Sequence, residues 1–322
     1  RNEREVIKSG QKANELIMYE DLPYSYDAWD ISVYHKDKKY KIDEVVSYKP
    51  ISEGARAGFE VVKRFRNSTI TQKIYLYNEL DRIDFDTVVD WHLRHIIVKA
   101  AFPVDVNTNK ATYEIQFGNI ERNHTENTSW DVAKFETCAH KWADISDNGY
   151  GMALMNDCKY GHSVVNDSTI QLSLLRSGNS SSEEVNDQGE HIMSYSIIPH
   201  SGNYIDADIV RKAYAFNNPM IAREINNSDG ALAQSFSLIK TENKNIIIDT
   251  VKKAEDSENI IIRIYESQNI KDKIKLSFGI DIKKLYLCDL LENIEKEIEV
   301  KDNTAVLDVN NFEIITLMAE VK

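Results

Sequence analysis

The 322-residue sequence has 42% hydrophobic and 28% charged residues, which is typical of a globular protein with one large or two medium domains. Its 39 basic and 52 acidic side chains give a net charge of −13, which argues against nucleic acid and anionic membrane surfaces as partners. No apolar run approaches the roughly 20 residues that a membrane-spanning helix needs, so the sequence excludes a transmembrane helix.

Strand patterns recur along the whole chain. Apolar and polar residues alternate with a period of two, which indicates strands with one solvent-facing side, at 73–77, 112–117, 273–278 and 305–309. Continuous β-branched runs, typical of strands covered on both sides, lie at 245–249 and 259–266. These patterns predict an all-β protein. We expect a large multi-stranded antiparallel β-sandwich, a supersandwich, over residues 1–225, with residues 226–322 completing it or forming a smaller β lobe.

Two segments are less regular. Residues 174–191 are rich in Ser, Gly, Asn and acidic residues, so they are predicted to form a surface loop joining two neighbouring strands, 169–175 and 191–198. In 285–298 the apolar residues fall at helical spacing with no Gly or Pro, and periodicity alone predicts a helix there.

The segment between Asn127 and Ser146 concentrates aromatic and polar residues. Flat apolar rings combined with hydrogen-bond donors are the usual lining of a site for a polar ligand such as a sugar. The candidate substrate contacts are Arg122, Trp130, His140, Lys141 and Trp142. The competing interpretation is a packed core corner, because Trp residues are largely buried on average.

Short patterns that could carry chemistry are weak. Among 52 acidic residues, the pairs Asp27/Asp30 and Asp131/Glu136 do not identify a glycosidase pair, so no catalytic residue is assigned. The spacings His35-x-Asp37 and His92-x-x-His95 lack a second partner motif, so no metal site is assigned in this chain.

Cysteine usage bears on the cellular compartment. Cys138, Cys158 and Cys288 form neither a CxxC pair nor an even-numbered disulfide framework. They are therefore interpreted as reduced thiols, which indicates a cytoplasmic protein.

The sequence resembles the C-terminal β region of the retaining α-mannosidases of glycoside hydrolase family 38, in their cytosolic and bacterial branch. The resemblance covers almost the whole chain and rests on residues 111–164 together with ordered matches. These matches are "EDLPYSYDAWDI" at Glu20, "VKAAFPV" at Val98, "LSLLRS" at Leu172, "YSIIPHSG" at Tyr195, "NNP" at Asn217, "VKKAEDSENIIIRIYE" at Val251 and "FEIITL" at Phe312.

The resemblance implies a catalytic α/β barrel, with a nucleophilic aspartate and a divalent metal, usually zinc, in polypeptide upstream of Arg1. It also implies that residues 289–300 are strand, against the helical periodicity. The implied partners are this N-terminal barrel, a helical domain and a mannose-containing glycan, and homo-oligomerisation is left open. Residues 121–142 are the segment we expect to help wall the sugar pocket.

Two other functions are compatible with the same residues. The chain could be an autonomous carbohydrate-binding module that uses Trp130 and Trp142 as platforms. It could also be a mutarotase-like sugar epimerase, with His140 as the acid and Glu136 as the base.

Overall fold

The computed structural model describes residues 4–27, 29–147, 149–165, 168–178, 187–226 and 234–322. The chain is all-β, as the sequence predicted, and every strand pairing in this part of the chain is antiparallel. Two compact units are present. Unit 1 comprises Arg1–Ile115 and Ile120–Pro219, and unit 2 comprises Gln116–Asn119 and Met220–Lys322.

The smaller sheet of unit 1 has six strands. They are β1 (Glu15–Glu20), β2 (Lys39–Lys41), β7 (Ile96–Pro103), β10 (Thr137–Cys138), β13 (Gly161–Val165) and β14 (Thr169–Ser177). Their spatial order is β10-β13-β14-β7-β1-β2.

The larger sheet has nine strands. They are β3 (Glu44–Glu53), β4 (Arg56–Phe65), β5 (Ser68–Tyr77), β6 (Ile83–Trp91), β8 (Lys110–Ile115), β9 (Gly118–Asn123), β11 (Trp142–Ser146), β12 (Tyr150–Asn156) and β15 (Gly189–Ser201). Their order is β3-β4-β5-β6-β15-β12-β11-β8-β9.

The core of unit 1 lies between these two sheets. Period-two alternation places every second side chain inside, so Phe102 from the small sheet meets Phe85 and Tyr195 from the large one. The Phe85 and Tyr195 rings stack with their centroids 5.0 Å apart. Gln72 Nε2 donates to the Tyr195 hydroxyl at 2.6 Å, which satisfies a polar group inside this core.

One predicted strand pairing is wrong. Residues 169–175 and 191–198 are both strand, but β14 pairs with β7 and β13, whereas β15 pairs with β6 and β12. The loop between them therefore connects the two sheets and does not close a hairpin. Much of that predicted loop, residues 179–186, lies outside the described residues.

Helices are few. The 3₁₀ helix Val33–Asp37 follows β1, and α1 (Ser129–Val132) interrupts the aromatic segment. The helix α2 (Ile209–Asn217), which was not predicted from the sequence, packs on β11 and β12 and buries Ile209, Val210 and Ala213. No helix in the described part of the chain is long and apolar enough to cross a membrane.

Unit 2 has two sheets around its own core. The three-stranded sheet has the order β16 (Ile239–Thr241), β19 (Asp272–Phe278), β22 (Thr304–Val309). The five-stranded sheet has the order β17 (Ile246–Lys253), β18 (Ile260–Glu266), β23 (Ile314–Val321), β20 (Ile282–Cys288), β21 (Ile294–Ile298). Ile262, Ile274 and Leu317 are among the core residues.

The helical periodicity at 285–298 is wrong, and of the strand that the resemblance implies at 289–300 the structure has the part Ile294–Ile298. Two strands, β20 and β21, flank a turn in which Asp289 Oδ1 accepts hydrogen bonds from the amides of Leu291 and Asn293. Glu292 has a φ of 70°, which ends regular structure there. Leu290 and Leu291 are exposed at this turn, so their helical spacing does not reflect burial.

Candidate functional site

A groove of about 1180 Å³ lies on the outer face of the six-stranded sheet of unit 1. Alternation creates its floor: Leu16, Met18 and Val98 point into the core, so Tyr19 and Lys99 point outward. We call it the lysine groove. It is lined by the segments or residues 10–12, Glu15, Ile17, Tyr19, 35–36, Lys39, Lys41, Lys99, Ala101, Pro103, 107–109, 124–127, 134–135, 163–165, Thr169 and Gln171.

Lys99, on the floor of the lysine groove, forms a buried ion pair with Glu136. Lys99 Nζ lies 2.6 Å from Glu136 Oε1, and the Lys99 side chain is only 2% exposed. Ser173 donates a hydrogen bond to the same Glu136 oxygen. Burial alone would raise the pKa of Glu136, but Lys99 and Ser173 outweigh it and hold the pKa below its ordinary value. Glu136 is therefore a carboxylate at neutral pH.

Gly161 makes room for this pair. A Cβ at position 161 would lie 2.6 Å from Glu136 Oε2 and 3.0 Å from the Ser173 Cβ, both closer than normal contacts. A side chain at position 161 in "KYGHS" would therefore have to displace the Glu136 carboxylate, which the glycine leaves close to β13.

Three rings lie beside the ion pair. His35 sits between Tyr19 and Phe135, with ring centroids 5.6 and 5.4 Å away. Gln171 Nε2 donates to the Tyr19 hydroxyl at 2.9 Å. Burial, with the nearby positive charges of Lys99 and Lys36, lowers the pKa of His35, so this histidine is neutral at physiological pH.

The lysine groove is rich in lysine although the chain is acidic, but four of its lysines are paired with carboxylates, among them Lys134 with Asp131 at 3.2 Å. Its lining contains six lysines and two glutamates, namely Lys12, Lys36, Lys39, Lys41, Lys99, Lys134, Glu15 and Glu126. Lys41 Nζ pairs with Glu15 at 2.5 Å, and Lys36 pairs with Glu126. Amides of three asparagines and Gln171 add donors and acceptors. This combination of cations, amides and rings is suited to a polar, hydroxyl-bearing or anionic ligand.

Two of the predicted contact residues lie at the surface. Trp130 is on α1 and is 81% exposed, so its ring is available to a ligand. Arg122 on β9 donates to the carbonyl of Cys138 at 3.2 Å, and its guanidinium lies over the Tyr113 ring. Neither residue lines the lysine groove.

The other three predicted contacts lie around the start of β11. Trp142 has no exposed surface and stacks on Tyr204 at 5.0 Å. Lys141 Nζ pairs with buried Glu114 at 3.2 Å. The ring of His140 packs edge-on against the ring of Tyr160, with centroids 5.4 Å apart.

A sugar platform needs an open ring face, which Trp142 does not present in this structure. Substrate contact by the five residues stays a prediction. The structure does not bring the five residues together in one site.

The aromatic segment nevertheless contributes one wall of the lysine groove. Asn127, Lys134 and Phe135 of this segment line the groove, together with residues 124–126 that directly precede it. Sequence reasoning missed Tyr19 and Lys99. One signal could have identified Lys99: it is a lone charge in the apolar run "IIVKAAF", where a lysine needs a buried partner.

Chemical roles are limited by these environments. The lowered pKa of Glu136 makes it a weaker base, which does not favour the mutarotase-like reaction with His140. Among the described residues, no group of three or more His, Cys, Asp or Glu side chains could hold a metal ion. In that same part of the chain Cys138, Cys158 and Cys288 are free thiols.

Comparison with protein families gives two matches. Residues 1–184 match the model described as glycosyl hydrolases family 38 C-terminal domain. Residues 245–317 match the model described as glycosyl hydrolases family 38 C-terminal beta sandwich domain. Together these matches cover most of both units.

Curated relatives are longer proteins. The chain is 34% identical over 323 residues to Alpha-mannosidase 2C1 of Homo sapiens, covering 98% of this chain and 31% of the human protein. It is 35% identical over 331 residues to Alpha-mannosidase G of Dictyostelium discoideum, covering 97% of this chain and 30% of that protein. The chain thus spans about a third of the length of these relatives.

A solved structure shows the same fold. The crystal structure of an alpha-mannosidase from Enterococcus faecalis V583 superposes with a TM-score of 0.79 at 16% identity, covering 96% of this chain and 39% of that one.

Proposed function

The chain belongs to glycosyl hydrolase family 38 and corresponds to its C-terminal region, and from this we propose its function. It is the non-catalytic β portion of a retaining α-mannosidase that acts on terminal α-mannosides. The observation that carries the proposal is the match of residues 1–184 to the C-terminal domain of that family. Curated relatives named as α-mannosidases, about three times as long, support it.

In this proposal the chemistry belongs to the remainder of the parent protein. The nucleophilic aspartate and a divalent metal, zinc by family resemblance, would be held there. The absence of a three-ligand cluster among the described residues is compatible with that assignment. The two β units would support the catalytic barrel, and residues 121–142 would help shape the sugar pocket. The free cysteines support a cytoplasmic location for the parent.

The isolated chain should therefore be inactive. We expect purified residues 1–322 to show a β-type circular dichroism spectrum and a cooperative thermal transition, yet no cleavage of an aryl α-mannoside with or without added zinc. The measurement is the release of the aryl alcohol over hours at high protein concentration, with the parent protein as the positive control. Turnover that scales with the concentration of the isolated chain would refute the assignment of the chemistry to missing polypeptide.

A second candidate function is glycan binding in the lysine groove. Its support is the lining by Phe135, amides and lysines within about 1180 Å³, which is large enough for an oligosaccharide. This function is compatible with the first, because a glycosidase also binds glycan.

Calorimetric titration with mannose oligomers tests the second candidate. We expect millimolar binding that Phe135→Ala weakens by about fivefold, because one ring contact is lost. Trp130→Ala is the matched control, since Trp130 is exposed outside the groove. Weakening by Trp130→Ala alone would move the site to α1, and no heat at millimolar sugar would remove this candidate.

A further inference from the structure

The nine-stranded sheet extends beyond the six-stranded sheet that covers it. Strands β5 and β6 contribute Ile70, Phe85 and Val89 to the core of unit 1. No residue of β3 belongs to that core, and from β4 only Phe65 packs against it. Every described residue of β3 except Ile51 is exposed. The β3–β4 hairpin is thus an uncovered continuation of a sandwich sheet.

Strand register shows which side of the hairpin is apolar. Pro50 pairs with Phe59, Phe59 with Ile74, and Ile74 with Phe85. Directly paired residues point to the same side of a sheet. Because Phe85 is 3% exposed in the core, Pro50 and Phe59 lie on the core-facing side.

The same argument places further apolar residues on that side. Tyr48 is aligned with core-facing Gln72 through β4, and Leu76 lies two residues from Ile74 on β5. Val45 is aligned through Lys63 with core residue Ile70. We call this surface the hairpin underside; its exposed large apolar residues are Val45, Tyr48, Pro50, Phe59 and Leu76, and Ala57, Val61 and Lys63 lie on the same side. Tyr48 is 73%, Phe59 52% and Leu76 60% exposed. An apolar side of this kind on a sheet that forms a core elsewhere marks a contact surface.

The free edge of β3 is protected against pairing with another strand. Pro50 has no N–H to donate, and the strand carries charges at Glu44, Lys49 and Glu53. Natural proteins use proline and charged side chains to prevent edge-to-edge association. The contact is therefore expected through the side-chain face and not through strand addition.

We propose that the hairpin underside is covered by apolar side chains from the part of the parent polypeptide that lies outside this chain. This inference rests on the proposed function, in which the chain is one portion of a longer glycosidase. The chain covers only 31% and 30% of the human and Dictyostelium relatives, so a large polypeptide is available to occupy the surface. Permanent contacts are more apolar than transient ones, which fits the composition of the hairpin underside.

Hydroxyl-radical footprinting read by mass spectrometry tests the proposal. We expect the oxidation of Tyr48 and Phe59 to fall by about fivefold or more from the isolated chain to the parent protein, as burial in an interface core requires. Ile192 is the matched control. It is 73% exposed and, next to core residue Met193, lies on the opposite side of the same sheet. Equal oxidation of Tyr48 and Phe59 in the two proteins overturns the proposal.

A substitution provides a second readout. Tyr48→Ser/Phe59→Ser should leave the melting temperature of the isolated chain unchanged, because both side chains are exposed there. In the parent the same change should lower the melting temperature, whereas Ile192→Ser should not. No loss in the parent also counts against the proposal.

The remaining outcomes distinguish the partner. If Tyr48 and Phe59 become protected in the isolated chain as it dimerises at high concentration by light scattering, the occupant is a second copy and the proposal is wrong. A parent protein that protects these residues but cleaves no α-mannoside leaves this inference intact and removes the proposed function. A parent protein that cleaves α-mannosides but leaves Tyr48 and Phe59 unprotected supports the proposed function and removes this inference.

Discussion

Lys99→Met is expected to destabilise unit 1 by about 3 kcal/mol, near the lower end of the 3–5 kcal/mol range for breaking one partner of a buried ion pair. Lys99 is 2% exposed, and its removal leaves the Glu136 carboxylate with Ser173 as the main remaining partner. We place the effect at the lower end because the Glu136 side chain is 21% exposed, so that water can partly hydrate its carboxylate. The measurement is urea denaturation at pH 7.

The partner substitution and the pH dependence make this prediction specific. Adding Glu136→Gln to Lys99→Met should recover part of the loss, because no uncompensated charge remains. The folded pKa of Glu136 is below its unfolded value of about 4.3. Its contribution is therefore complete above that value and is lost as the pH falls through the lower folded pKa. This decrease in the free energy of unfolding at low pH should be absent in Glu136→Gln.

The exposed pair formed by Lys41 and Glu15 is the control for solvent screening. Lys41→Met should have no measurable effect, since exposed ion pairs contribute little. A loss in Lys41→Met equal to that in Lys99→Met would contradict the role given to burial.

Trp142→Ala is expected to cost about 3–5 kcal/mol, the usual range for a large aromatic residue deleted from a core. Trp142 has no exposed surface and stacks on Tyr204. Its removal would leave a cavity on the face of the nine-stranded sheet where α2 packs. Denaturant midpoints and calorimetric melting measure the effect, with Trp142→Phe expected to retain part of the stability.

Trp130→Ala is the comparison that separates packing from ligand contact. Trp130 is 81% exposed, so its removal should change stability by less than about 0.5 kcal/mol. Equal stability losses in both tryptophan variants would show that Trp130 is also packed. A Trp142→Ala variant as stable as wild type would contradict the packing role given to Trp142.

Much of the fold could be predicted from local patterns. Residues 73–77 and 273–278 alternate because one side of β5 and β19 faces a core, and the structure has strands at both. Residues 285–298 show the limit of such patterns. Leu290, Leu291 and Ile294 are apolar but lie in or beside an exposed turn, so their spacing does not report a buried helical face.

The candidate site was only partly predictable. Part of the aromatic segment that the sequence singled out lines the lysine groove, and its contact with substrate stays a prediction. Its two tryptophans could not be told apart in sequence, because exposure depends on Tyr204 and on α2, which are remote in the chain. Tyr19 and Lys99 were not selected, because the floor of the groove exists only where β1, β7 and β14 lie side by side.

The all-β class, the acidic charge and the family resemblance could be predicted from the sequence, because alternation, composition and ordered motifs are local properties of the chain. Tertiary structure alone decided that β14 and β15 lie in different sheets, that Lys99 meets Glu136, and that the β3–β4 hairpin is left uncovered. The physical reason is that strand pairing joins residues far apart in the chain. Burial, and with it the charge state and exposure of each side chain, follows from that pairing.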